Sequence, residues 1–348
     1  MEEGLCEVKK RTLIIFDMDG VLVDVSSSYR EVVRRTVVEY MRQVLGADVS
    51  DGFITLADIA AVKKSGGLNN DWDLTDAILN TYLLHGLPQH DKEPPERLYG
   101  SVSTEDEHTR LERINRVDLS RTLPALEKLV AEKPVTTLFS SSQWERGKRS
   151  QFLLNEGDVG SGNLSKRIFQ ELYLGPTLFR EHYGEDCMFY TGDGFINHER
   201  SIPRNSELDA LQKAHILAIA TGRPGAEAHY ALRRFNMERY FAATISEDDV
   251  AEFEGVYDES LRKPHPFSLA LCMERCGYGN GDKVYYVGDM PDDMRAATRA
   301  GVHAVGFVDR ENGEKAEQRD EHMALLAHHG AEQVFTTFGE LGTFMSRK

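Results

Sequence analysis

A chain of 348 residues is longer than one hydrophobic core usually serves, and two domains are expected. Its hydrophobic fraction of 41% supports a substantial core, its charged fraction of 28% fits a water-facing surface, and no apolar run approaches the roughly 20 residues that span a bilayer. A net charge of −16 argues against a nucleic-acid backbone as partner, and the acidic start from Met1 lacks a secretory pattern, so the expected setting is cytoplasmic.

The first element is an apolar run from Thr12 to Phe16 that reads as a strand buried on both faces, as in a parallel sheet. It ends in Asp17 and Asp19 with Gly20 behind them. In an extended strand both carboxylates point to one side, beyond the carboxyl end where such sheets bind ligands. One can act as nucleophile toward phosphorus while the other carries a proton, although an acidic turn after a strand would have the same letters.

Tyr29 to Leu45 has apolar residues at helical spacing, and Asp73 to Leu84 reads as a second helix. Between them, Lys63 to Trp72 offers glycines, amides and an aromatic face. Asn69, Asn70 and Trp72 are the candidates here for substrate contact, while Asp71 is placed to cap the following helix. From about 93 to 166 the chain turns polar and charged, with a short helix expected from Leu123 to Ala131 and an Asn163-Leu164-Ser165 sequon that matters only in a secreted protein.

A second apolar run, His215 to Ala220, ends in Thr221, Gly222 and Arg223, whose hydroxyl, backbone and cation suit a phosphoryl group but also fit an ordinary turn. Lys263 precedes Pro264 and the helical pattern beginning at Phe267, so it is expected where a helix starts. The macrodipole disfavours a cation there and calls for an anion nearby. A third run, Lys283 to Gly288, ends in Asp289, with Asp293 following; both suit an oxygen site for magnesium. Strands at 302–308 and 333–338 and a closing helix at 339–345 complete the pattern. The four cysteines, Cys6, Cys187, Cys272 and Cys276, are too sparse for a disulfide framework, and the Cys272/Cys276 spacing reads as core packing.

Taken in order, the four acidic, hydroxyl, lysine and acidic segments resemble the motifs of the haloacid dehalogenase superfamily, and the Gly288-Asp289 to Gly301 stretch resembles its phosphoglycolate-phosphatase-like branch. The resemblance implies Asp17 as nucleophile, Asp19 as general acid/base, Thr221 as phosphoryl-oxygen donor, Lys263 as charge stabiliser and Asp289 as magnesium ligand. Asp293 matches the second acid of the fourth motif. The resemblance further implies that Asp17 and the main chain at Asp19 bind the metal; beside it, Gly222 and Arg223 are the substrate-binding candidates of the second segment, Arg223 as a local cation for an anionic substrate. The expected fold is α/β, a doubly wound Rossmann-like parallel sheet formed by 1–27 and 204–348, with a mainly helical cap at 28–203 inserted where about 200 residues separate the first two motifs.

Within that superfamily the second acid, Asp19, favours phosphoryl transfer over dehalogenation, because an ester oxygen needs a proton and its charge a divalent cation, whereas a halide needs neither. The expected protein is therefore a Mg2+-dependent phosphatase acting on a small phosphorylated metabolite. A phosphomutase, differing only in the acceptor, and a non-catalytic binding protein of the same fold are the alternatives. A phosphonate-cleaving member would need an imine-forming lysine such as Lys63 or Lys64.

Overall fold

The structure is a computed structural model that describes residues 11–64, 70–86, 123–139, 159–161, 163–257, 260–279, 281–311 and 315–348. The chain divides into two compact units, Met1–Ser26 with Arg200–Lys348, and Ser27–Glu199.

In the first unit, Leu13–Phe16 forms β1, and its alternating apolar side chains serve two cores. The chain leaves through Val23–Asp24 (β2) and returns through Arg200–Ser201 (β3), which pair antiparallel with Asp24 opposite Arg200. Then follow β4 (Ile216–Ala220), β5 (Phe241–Ile245), β6 (Val284–Gly288), β7 (His303–Phe307) and β8 (Gln333–Phe335). Six strands form one parallel sheet in the order β5-β4-β1-β6-β7-β8.

Ile14 and Phe16 face a core closed by the helices Asn205–Ala214, Gly225–Arg234 and Phe338–Met345. Leu13 and Ile15 face the opposite core, closed by Glu247–Tyr257, Phe267–Arg275, Pro291–Ala300 and Ala316–His328. This is the doubly wound α/β arrangement. Strand order reverses around β1, so the topological switch, where such sheets bind ligands, lies at the carboxyl end of the first strand. Cys272 is fully buried in the second core, as its spacing implied.

The described part of the second unit is helical: Tyr29–Glu39, Leu56–Lys64, Asp71–Gly86, Leu123–Glu132, Val135–Leu138 and Leu164–Tyr183. The helix expected through Leu45 ends its α-helical course at Glu39 and widens into a π-helical turn, Tyr40–Val44, in which Tyr40, Met41 and Val44 are all buried. Asn163 of the sequon is buried and caps the helix at Leu164, accepting a hydrogen bond from the Lys166 amide. Most of the polar stretch at 93–166 lies outside the described residues. No helix among the described residues is long and apolar enough to cross a membrane.

Asp76 is an unusual interior residue of this unit. It is 2% exposed, accepts a 2.6 Å hydrogen bond from Ser165 Oγ, and is pushed up to about 7, chiefly by burial. Between its unfolded pKa near 3.8 and about pH 7 the folded chain holds a proton that the unfolded chain has lost, so stability falls as pH rises through that window. The whole effect is at most about 4 kcal/mol. Asp76→Asn keeps the acceptor and removes the titration; it is expected to unfold in denaturant at a higher midpoint than the parent at pH 8 and to lose the advantage near pH 4.

Candidate active site

Asp17 follows β1 directly, and its amide donates to Val287 O of β6 at 2.8 Å, which fixes it at the sheet's carboxyl edge. Asp289 follows β6, and Asp293 sits in the first turn of the helix Pro291–Ala300. One oxygen from each of Asp17, Asp289 and Asp293 lies within 4.8 Å of the others. Into this trio comes Lys263, whose Nζ is 2.9 Å from Asp17 Oδ1, 2.9 Å from Asp293 Oδ1 and 2.8 Å from Tyr286 Oη. Those three contacts match the three protons of an ammonium group.

Lys263, expected where a helix starts, lies four residues before the helix that begins at Phe267. The expected anion is nevertheless present, in the form of Asp17 and Asp293. Burial works against the lysine's charge, but the two carboxylates hold its pKa well above the ordinary value. Asp17 is pushed up to about 7 by burial, with Asp293 and Asp19 adding to the shift and Lys263 opposing it. Asp289 is raised well above the usual carboxylate range by burial first and then by Asp293, Asp17 and Asp19.

Three clustered carboxylates against one ammonium leave a deficit of positive charge, and an all-oxygen donor set suits a hard divalent cation such as magnesium. Asp293 has its oxygens engaged within the protein: Oδ1 meets Lys263 and Tyr286, and Oδ2 accepts from the Met290 amide at 2.9 Å. Asp17 and Asp289 are thus the better-placed side-chain donors of the three.

Gly20 makes close approach possible. It adopts φ +72°, and a Cβ built there would stand 2.2 Å from Asp289 Oδ2 and 2.6 Å from its Cγ. An alanine must displace the Asp289 carboxylate in addition to bearing left-handed strain. Gly20→Ala is expected to cost about 1–2 kcal/mol of stability. Its larger effect is expected on cation binding: in a Mg2+ titration the half-maximal concentration should rise at least ~10-fold over the parent, because the Asp289 carboxylate of the acidic cluster has been moved.

Asp19 stands apart from the trio. The strand ends at Phe16, Met18 turns wholly into the core, and the Asp19 carboxylate is 34% exposed and ion-paired with Arg223, whose Nε lies 2.5 Å from its Oδ1. Arg223 is only 1% exposed, so its guanidinium is occupied with Asp19 inside the protein, an arrangement that its place after a strand did not reveal. Thr221 is buried just beyond β4, its amide donates to Ile245 O at 2.9 Å, and its Oγ1 accepts from the Arg223 amide at 3.1 Å. Gly222 is exposed, with open space around the position of a Cβ.

The remaining candidates belong to the inserted unit. Asn69 lies outside the described residues. Asn70 Oδ1 accepts from the amides of Trp72 and Asp73, so Asn70, rather than Asp71, caps the helix. Asp71 pairs instead with Lys63 at 2.9 Å. The Trp72 ring lies 4.1 Å from Lys166 Nζ and edge-on to Phe169.

Two residues of the core unit went unmarked in the sequence. Tyr286, on β6, is completely buried and donates from Oη to Asp293 Oδ1 at 2.9 Å while accepting from Lys263. A tyrosine inside an apolar strand that ends in acids is a usable signal, since a buried phenol must find a partner. His322, on the helix Ala316–His328, donates from Nε2 to the Asp289 carbonyl at 2.7 Å. No local pattern links it to a residue so distant in the chain.

Residues 204–307 match the sequence model of a family described as haloacid dehalogenase-like hydrolase. The chain is 34% identical over 102 residues to the phosphoglycolate phosphatase of Escherichia coli (strain K12), a stretch covering 29% of this chain and 36% of that protein. It is 31% identical over 132 residues to the phosphoglycolate phosphatase of Salmonella typhi, covering 38% and 46% respectively. The chain thus spans less than half the length of either curated relative. In fold it is similar to a Northeast Structural Genomics Consortium target, with a TM-score of 0.62 at 23% identity over 97% of this chain and 99% of that one. It is also similar to the phosphatase Tt82 from Thermococcus thioreducens, with a TM-score of 0.51 at 21% identity over 90% and 99%.

Proposed function

We propose that this chain, which belongs to the haloacid dehalogenase superfamily, is a magnesium-dependent phosphatase that hydrolyses a small phosphorylated metabolite through an aspartyl-phosphate on Asp17. The observation that carries the reading is the cluster of Asp17, Asp289 and Asp293 around the Lys263 ammonium at the carboxyl edge of the sheet.

Asp17 Oδ attacks phosphorus as its bond to the ester oxygen breaks, and the Asp19 carboxyl delivers a proton to the departing oxygen. Water then attacks the same phosphorus, Asp19 takes its proton, and the bond to Asp17 breaks to release inorganic phosphate. Arg223 holds the Asp19 side chain in place for both transfers. The Thr221 hydroxyl and the Lys263 ammonium meet the charge on the transferring group. Asp17, Asp289 and the main chain at Asp19 would hold Mg2+, with Asp293 bordering the site; when bound, the ion neutralises phosphoryl charge and lowers the cost of bringing an anion to a carboxylate.

The test is phosphate release from a panel of phosphorylated metabolites with Mg2+, with product analysis to tell hydrolysis from transfer to an organic hydroxyl. Release that persists in the presence of chelator contradicts the reading. A new phosphate ester in place of inorganic phosphate identifies a phosphomutase instead.

A further inference from the structure

The Tyr286 hydroxyl joins three segments that are distant in sequence. It accepts from Lys263 Nζ at 2.8 Å, donates to Asp293 Oδ1 at 2.9 Å, and lies 3.4 Å from Ala220 O, the carbonyl immediately before Thr221. Its ring is fully buried in β6, where the backbone pairs with β1 and places Tyr286 opposite Ile15, two residues before Asp17. The hydroxyl therefore has a fixed position, set by the sheet rather than by a mobile side-chain stem.

That position matters because Lys263 faces two competing carboxylates at equal distance, 2.9 Å to Asp17 and 2.9 Å to Asp293. The hydroxyl restrains the balance in two ways. It gives the third ammonium proton an acceptor, and its own proton occupies Asp293 Oδ1, weakening that oxygen as a rival for the lysine. Without the hydroxyl, the ammonium keeps two anchors, and the better unoccupied acceptor is Asp293. The predicted consequence is a lysine drawn away from Asp17.

We propose that Tyr286 is a positioning residue that holds the Lys263 ammonium toward Asp17, so that a phosphoryl group arriving at Asp17 meets an oriented cation. The inference rests on the phosphatase reading above and assigns to this chain a fixed support for its lysine from within the central strand.

Tyr286→Phe removes one oxygen and leaves the packing. With Mg2+ present, kcat is expected to fall about 10- to 100-fold, the size of effect that a small displacement of a reacting group produces. Calorimetric Kd for inorganic phosphate should rise at least ~3-fold, and the Mg2+ half-saturation should stay within ~2-fold, because the direct donors are untouched. Tyr285→Phe is the control: Tyr285 is the neighbouring buried tyrosine, which contributes to the opposite core and stacks on His303, and its loss should leave kcat and phosphate affinity at parent values.

Introducing p-aminophenylalanine at position 286 restores a group that donates and accepts, and should recover most of the lost kcat. It also serves as the test variant if Tyr286→Phe does not fold. The inference is overturned if Tyr286→Phe matches the parent in kcat and phosphate affinity, if Tyr285→Phe is equally impaired, or if the amino variant folds without recovery. A parent that neither releases nor binds phosphate overturns the phosphatase reading, and the inference with it.

Discussion

Asp17→Asn is expected to abolish phosphate release, with kcat lowered by on the order of 10⁴-fold or more, as removal of a nucleophile typically does. The amide is nearly the same size, so the packing at the carboxyl edge of β1 and β6 should persist; what disappears is the anionic oxygen. Asp17 is already held near a functional threshold. Burial and the neighbouring carboxylates push it up to about 7, and Lys263 at 2.9 Å is the favourable opposing charge. With the metal-free protein, the fraction of Asp17 in its nucleophilic form therefore grows as pH rises through about 7. Kinetics of the purified variant, measured beside a circular-dichroism melt, check the prediction: loss of kcat with a parent-like melt supports it, and retained kcat refutes the assignment.

Magnesium is expected to act on stability as well as on rate. Without a cation, Asp17 and Asp289 both have raised folded pKa values, so the folded state holds protons that the unfolded state has given up. Stability of the metal-free protein should accordingly fall as pH rises from about 4 to about 7 on account of Asp17, with Asp289 acting in the same direction. At pH 8, Mg2+ at about 100 times its Kd should restore about 2.7 kcal/mol, seen as a rise of several degrees in Tm. Asp289→Asn removes one of the repelling charges and one donor. It should melt above the parent in chelator and show little response to Mg2+, and its phosphate release should fall by at least ~100-fold. Equal Mg2+ shifts in parent and variant would place the ion elsewhere.

The parts of this site that were legible in the sequence are those set by local pattern. β1 could be read because a strand buried on both faces must be continuously apolar, and its sudden change to Asp17 marks the sheet edge. The same contrast located Thr221 after β4 and Asp289 after β6. What local pattern could not reveal are the partners chosen by tertiary packing. Arg223 looked like a cation for substrate, yet it is buried against Asp19, 204 residues away. Tyr286 and His322 reach the site only because β6 and the helix Ala316–His328 are packed beside it. In the inserted unit, one residue of register separates the expected helix cap, Asp71, from the observed one, Asn70, because Asp71 is drawn to Lys63. The π-helical turn at Tyr40–Val44 likewise departs from a pattern that helical spacing alone reads as continuous.

The central claim is that a phosphoryl group passes through Asp17. Its most direct test is to mix the protein with Mg2+ and the best substrate from the panel, quench in acid during turnover, and map the modified peptide by mass spectrometry. The account predicts one phosphoryl group on the peptide carrying Asp17, lost on treatment with hydroxylamine and absent in Asp17→Asn. Turnover with Asp17 unmodified and the phosphoryl group on another residue would contradict it.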